Sequence, residues 1–427
     1  MLRLPLRPRL AATLAALGAV TLTLTACPMP GQSPSSGPGT GTGPGGTSST
    51  PAALDASFGE NGVVTTDLQP DMDDLAYAVA VQADGKIVLA GTSGTPAITQ
   101  TALVRYTADG EVDTGFGTDG LVLNSKSVSA SSYGLAIQSD GKLVTGGWSS
   151  KSDSSSDFLL SRFSAAGNLD TSFGDGGHGG LGRNTAFGNA LAQQADGKLL
   201  LAGQDTNIMT PAALIARFTQ DGALDASWGD AGVARIDWGT GYDNAKAIAV
   251  LPDGKVLVAG KTNQRGVLLS RLNADGSQDM AFGSDGVVKR DLGEGNAVRA
   301  IALGSNGRIF LAGGSKLHAY QADGSVDEQF GESGIVTFAG HALNSLVELP
   351  DGNLVAVGKD AKSVAVVKLS AQGKPVSDFG KAGSLSLEAA VPSGEAFHVT
   401  RLASGKLLIA GKAWDEDDDF LLIRLTP

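Results

Sequence analysis

Short apolar runs alternate with glycine turns along almost the whole chain. Residues 83–120 hold one full period. It begins with an Asp84-Gly85 turn and an apolar run ending in Ala90-Gly91. A second apolar run carrying Arg105 follows, then another Asp-Gly turn and an aromatic-Gly-x-x-Gly signature from Phe116 to Gly120. The runs are four to seven residues long, as in 247–251 and 255–259. Asp-Gly or Asn-Gly between two such runs is the strongest short-range hairpin signal, because both turn residues tolerate positive φ. The runs are therefore read as strands. Several are apolar on both faces, which predicts sheets covered on both sides. No stretch of the body reads as a helix.

The period recurs. The signature occurs seven times, led by Phe58, Phe116, Phe173, Trp228, Phe282, Phe330 and Phe379. The hairpin turn also occurs seven times, starting at Asp84, Asp140, Asp196, Asp253, Asn306, Asp351 and Ser404, at spacings of 56, 56, 57, 53, 45 and 53 residues. The run before the turn is named A, the run ending in Ala-Gly B, the basic run C and the run after the signature D. Four strands per unit and seven units predict an all-β, seven-bladed β-propeller of four-stranded antiparallel blades. A β-helix is the alternative, but its coils are usually shorter than this period. The body opens on a lone D run at 62–67 and ends on a unit with only A, B and C, finishing at 421–425. The N-terminal strand is therefore expected to pair with the C-terminal blade and close the ring, removing two open sheet edges.

The motif L-D-x-S-F-G stands here as Leu54-Asp55-Ala56-Ser57-Phe58-Gly59. With Asp84-Gly85-Lys86, Ala90-Gly91 and Leu103-Val104-Arg105-Tyr106, it resembles the bacterial delta-60 repeat over residues 54–427. The resemblance implies a propeller-like domain on secreted or surface proteins. It brings no established activity, so no catalytic residue is carried over. Two units depart from the pattern. Ala319 and Lys368 stand where others have the arginine of run C, and Val376 stands where others have Asp113 or Asp225.

The N-terminus reads differently. Arg3, Arg7 and Arg9 precede an apolar segment at 10–24, too short for a comfortable membrane span. Leu24-Thr25-Ala26-Cys27 resembles a bacterial lipoprotein signal. That resemblance implies a signal peptide at 1–26 and lipid on Cys27, hence a membrane-anchored, extracytoplasmic protein of a bacterial envelope. An ordinary secretory signal is the alternative. Cys27 is the sole cysteine, so no disulfide forms within one copy. Residues 27–53 are rich in Pro, Gly, Ser and Thr and read as a flexible tether. The formal net charge of -12 argues against nucleic acid as a partner. A monomer is expected.

The candidate chemistry is sparse. The repeated aromatic is read as a wedge between blades, and the repeated arginine as an internal partner of the Leu-Asp motif, as Arg105 with Asp113. Gly174 to Gly179 matches G-x-G-x-x-G without the strand–helix context of a dinucleotide site. The histidines, His178, His318, His341 and His398, lie in separate units. No cofactor and no catalytic residue are expected.

The A–B and C–D turns are repetitive, whereas the D–A and B–C loops vary and share one face. Binding surfaces form on such loops. Seven roughly equivalent positions near the start of the A runs are candidate ligand contacts at the channel mouth: Tyr77, Tyr133, Asn189, Lys246, Arg299, Asn344 and His398. Two acidic loops on that face become neighbours on ring closure. They supply Asp71, Asp73 and Asp74, and Asp415, Asp417, Asp418 and Asp419. They form either a Ca²⁺ site or a solvated patch. The expected function is a binding or scaffold module that meets an envelope protein or glycan through its loop face. A propeller enzyme of hydrolase or lyase type and a purely structural envelope protein are the alternatives.

Overall fold

The computed structural model describes residues 53–125, 128–150, 155–183, 185–206, 212–239, 241–261, 266–290 and 297–427. The signal segment, Cys27 and nearly all of the tether lie outside the described residues, as do parts of the second and third long B–C loops.

The described residues form seven antiparallel blades and no helix. Blade 1 is Asp73–Val81, Ile87–Gly94, Thr99–Tyr106 and Leu121–Asn124, paired in that order. Blades 2 to 6 repeat the A-B-C-D order. Each A strand packs against the A strands of both neighbours, and Gly394–Arg401 of blade 7 packs against Asp73–Val81 of blade 1. The A strands thus form a closed inner ring.

Blade 7 is assembled from both ends of the chain. Gly394–Arg401, Leu407–Trp414 and Asp418–Thr426 supply its A, B and C strands. Its fourth strand is Val63–Thr66, running from Val63 opposite Ile423 to Thr66 opposite Phe420. A two-residue strand, Ala53–Leu54, extends the pairing to Thr426 and Leu425.

The core is divided among the seams between blades. At the seam of blades 7 and 1, Phe58, Val64, Val79, Leu89, Val104, Phe420 and Leu422 are buried together. All eight residues of Ile87–Gly94 are buried, as expected of a strand covered on both faces. Every signature aromatic is buried, including Phe58, Phe116 and Trp228. Each of the first six packs against a turn glycine of the next blade, as Phe116 against Gly167. The signature glycine also reaches across the seam: Gly117 N–H donates to Ala166 O at 2.8 Å, with its own φ at 54°.

The C-strand arginines lock these seams. Arg105 Nε donates to Asp113 Oδ2 at 2.8 Å, its guanidinium lies 4.7 Å over the Phe116 ring, and Nη1 donates to Ala165 O of the next blade. Arg162, Arg217 and Arg271 repeat the pattern. Arg424 applies it to ring closure, donating to Asp55 Oδ2 at 2.5 Å and to Ala108 O at 2.6 Å. Blade 5 explains its own departure. Where Ala319 leaves no arginine on strand C, Arg308, in the A–B turn just before strand B, reaches Asp327 at 3.3 Å and Ala371 O at 2.7 Å. It occupies the place held by Lys86 in blade 1.

Candidate functional site at the channel mouth

Six A strands slip register by one residue at the same place, between Ala76 and Ala78 in blade 1 and between Ala396 and His398 in blade 7. The strand-B glycine opposite makes this bulge fit. A Cβ on Gly91 would run into Leu75 O, and one on Gly411 into Glu395 O. The strand-B glycine of every repeat, from Gly91 to Gly411, is therefore a steric requirement of the strand A beside it. In blade 5, Arg299 holds the same place, its N–H bonded to Ala312 O at 2.8 Å.

The bulged residues converge on one cavity of about 590 Å³. Tyr77, Tyr133, Asn189, Lys246, Arg299 and Asn344 line it, as does Phe397. His398 does not. It sits one residue later, where Nδ1 accepts the Val79 N–H at 3.3 Å across the seam, and burial pushes its imidazole down to about 4. In blade 6, Ser345 Oγ accepts the Val399 N–H in the same way, so His398 is a seam contact. The cavity lies at the loop-face end, since Lys261 and Lys359, the last residues of two B strands, also line it.

Its wall is two-sided. Blades 7, 1 and 2 supply an aromatic arc. Tyr77 stands 4.9 Å from Phe397 and 4.8 Å from Tyr133, centroid to centroid. Burial pushes the Tyr77 hydroxyl up, so it stays neutral. Blades 4 to 6 supply a cationic arc of Lys246, Lys261, Arg299 and Lys359. The lining holds one carboxylate, Glu395, already engaged by Lys359 at 2.9 Å and by Asn344 Nδ2 at 2.9 Å. Two amides orient the cations. Asn189 Oδ1 accepts from Lys246 at 2.9 Å, and Asn344 Oδ1 accepts from Arg299 at 2.8 Å. Among the described residues, no carboxylate pairs with Lys246 or Arg299. Burial, then the charges of Lys261 and Arg299, push Lys246 down to about 8. The arrangement is suited to an anionic group.

Two further cavities of about 600 Å³ lie around Gly229–Val233 and Gly283–Val288. They are equivalent grooves between neighbouring C–D turns and belong to the repeat itself.

The acidic loops meet only in part. Asp74 and Asp419 come together across the seam, joined by Asp67, with one carboxylate oxygen of each within 4.8 Å of the others. Asp74 Oδ2 accepts the Leu68 N–H at 2.7 Å, whereas its Oδ1 is buried without a hydrogen-bond partner among the described residues. Burial first, with Asp67 and Asp419 adding, pushes Asp74 up to about 7. Asp71, Asp73, Asp415, Asp417 and Asp418 fall outside this group. Asp71 and Asp415 are exposed, and Asp418 pairs with Lys412 at 2.8 Å.

Sequence reasoning passed over Phe397, Lys261, Lys359, Glu395 and Asp67. Phe397 had a signal: each bulged residue lies seven positions before the first residue of its hairpin turn, from Tyr77 before Asp84 to Phe397 before Ser404.

Four segments, 82–116, 138–173, 194–227 and 251–282, match the family described as "Domain of unknown function (DUF5122) beta-propeller". Each begins at an A–B turn and ends at or beside a signature aromatic. The match spans less than half of the chain and is a likeness to that family. No curated protein matches. Among solved structures, the chain is similar to a protein of unknown function from Dyadobacter fermentans (13% identity, 86% of this chain and 98% of that one, TM-score 0.44). It is also similar to a gluconolactonase from Xanthomonas campestris (12% identity, 90% and 99%, TM-score 0.41). A third likeness is to Sqt1 from Chaetomium thermophilum, bound to the N-terminus of a ribosomal protein (13% identity, 80% and 85%, TM-score 0.47).

Proposed function

We propose that this protein is a binding module of the delta-60 repeat type that seats an anionic ligand in the mouth of its channel. The carrying observation is the cationic arc: Lys246 and Arg299, each held by an amide and neither paired with a carboxylate among the described residues. Lys246, partly desolvated beside the exposed Arg299 in a chain of net charge -12, gains from an anion brought in from solution. The mouth lies on the variable loop face. Anchoring through Cys27 and the tether would hold that face away from a bacterial envelope, as a monomer open to a glycan or protein. Calorimetric titration of the chain with small organic acids and their neutral amides tests the reading. Acids bind, amides do not, and Lys246→Ala or Arg299→Ala weakens the acids by about tenfold or more. Equal binding of amides, or indifference to both substitutions, removes the anion seat.

Two other readings each have one observation behind them. Lys246, pushed down to about 8, has a free-amine fraction at neutral pH that could accept a proton, which favours a channel enzyme of lyase type. Release of unsaturated product from acidic glycans would reveal it. The convergence of Asp67, Asp74 and Asp419 favours Ca²⁺ at the ring seam. Titration with Ca²⁺ that gives neither heat nor a rise in melting temperature removes that site.

A further inference from the structure

A second cavity of about 410 Å³ opens beside the channel mouth, between blades 6 and 7. It shares two lining residues with the first, Lys359 and Glu395. Their ion pair at 2.9 Å forms the common wall. Lys412 and Asp418, paired at 2.8 Å, lie further along. Trp414 stands in its lining with 59% of its surface exposed. Large exposed aromatics are few among the described residues, and this one borders a groove that shares a wall with the candidate site.

We propose that the two cavities form one elongated site for an acidic oligosaccharide. Its charged sugar sits in the channel mouth and a neighbouring ring stacks on Trp414. The proposal rests on the anion seat described above. The chemistry of the groove selects the ligand. Apart from Trp414 it offers only Ala361 and Gly394 as apolar lining, too little to anchor a peptide side chain. What it offers instead are paired charges, whose spare lone pairs and N–H groups suit sugar hydroxyls, and one aromatic face, which suits the C–H face of a sugar ring. The aromatic arc of Tyr77, Tyr133 and Phe397 repeats that combination beside the cations of the mouth.

The test is calorimetric titration of the chain with galacturonic acid, its hexasaccharide, an uncharged glucose hexasaccharide and an acidic hexapeptide. The acidic hexasaccharide is expected to bind at least about tenfold more tightly than the monosaccharide. Trp414→Ala should erase roughly three- to tenfold of that gain and leave the monosaccharide unchanged, which a general loss of structure would not do. Lys246→Ala should weaken both acids. Melting curves of each variant verify folding.

Monosaccharide binding without a gain from chain length, or an equal loss of both in Trp414→Ala, overturns the elongated site and leaves the seat standing. Failure of both acids overturns seat and extension together. A neutral hexasaccharide or the peptide binding as tightly as the acidic hexasaccharide overturns the ligand class.

Discussion

Arginine occurs at both ends of the ring, in opposite states. On the turn face, Arg105 is buried with its Nε on Asp113, its Nη1 on a carbonyl of the next blade and its plane over Phe116. On the loop face, Arg299 is exposed at the channel mouth and donates to one amide oxygen, Asn344 Oδ1. The difference separates two uses of charge. A cation with its hydrogen bonds filled by its own chain ties blades together and has little to offer a ligand. A cation crowded by other cations destabilises its surroundings slightly and gains from an anion.

Removing the latch should have the largest effect. Deletion of residues 54–68 takes away the fourth strand of blade 7, buried Phe58 and the Asp55–Arg424 pair. Loss of Phe58 packing alone is worth about 3–5 kcal/mol. Chemical denaturation should show loss of the cooperative transition; an unchanged midpoint would contradict ring closure as a source of stability.

Next come the seam arginines. Arg105→Ala leaves Asp113 short of its buried partner and should cost about 3 kcal/mol or more. Arg308→Ala should cost a similar amount, because Ala319 leaves no second arginine in blade 5. Lys86→Ala, at the position equivalent to Arg308, should cost far less, since Arg105 still holds Asp113. Equal losses at Lys86 and Arg308 would break the compensation between positions 308 and 319.

The pH dependence should distinguish the frame from the acidic seam. Ser227 beside Asp225, and Lys255 beside Asp279, hold these carboxyls down to about 2. The unfolded chain takes up those protons near ~4. Their stabilisation is therefore full above ~4 and lost as pH falls toward ~2. Asp74 acts in the opposite sense. Burial raises it to about 7, so the folded chain keeps a proton that the unfolded chain releases above ~4. Stability from this group falls as pH rises from ~4 to ~7, by at most about 1.4 kcal/mol per pH unit. Melting curves of Asp74→Asn should lack the slope on the neutral side and keep the acid arm. A neutral-side slope unchanged by the substitution would assign it elsewhere.

The smallest stability effect belongs to the mouth. Lys246→Ala and Arg299→Ala should shift stability by no more than about 0.5 kcal/mol, since they leave no carboxylate unpaired. A loss as large as that of Arg105→Ala would erase the contrast between the two ends.

Much of the frame was legible residue by residue. The pairing of Arg105 with Asp113 and the wedge of Phe116 could be read because their partners lie within one repeat or the next. Ring closure could be read because the chain starts on D and stops on C. The imperfect match at Ala319 was visible, but its compensation was not: Arg308 looks like an ordinary turn residue until its side chain is seen at Asp327. The candidate site was legible as a set of positions, six of which line the cavity. The seventh was displaced by one residue, from Phe397 to His398, because a bulge changes which side of a strand a residue faces.

Blade number, strand order and the buried aromatic of each signature followed from the sequence alone, because these are properties of a local unit copied seven times. Packing decided the rest. The crowding of Lys246 against Arg299, the meeting of Asp67 with Asp74 and Asp419, and the wall shared by two cavities all join residues from different blades. No pattern within one repeat encodes such distances. They exist only once seven sheets are wrapped around a common axis and each strand's exposed side is fixed by its neighbours.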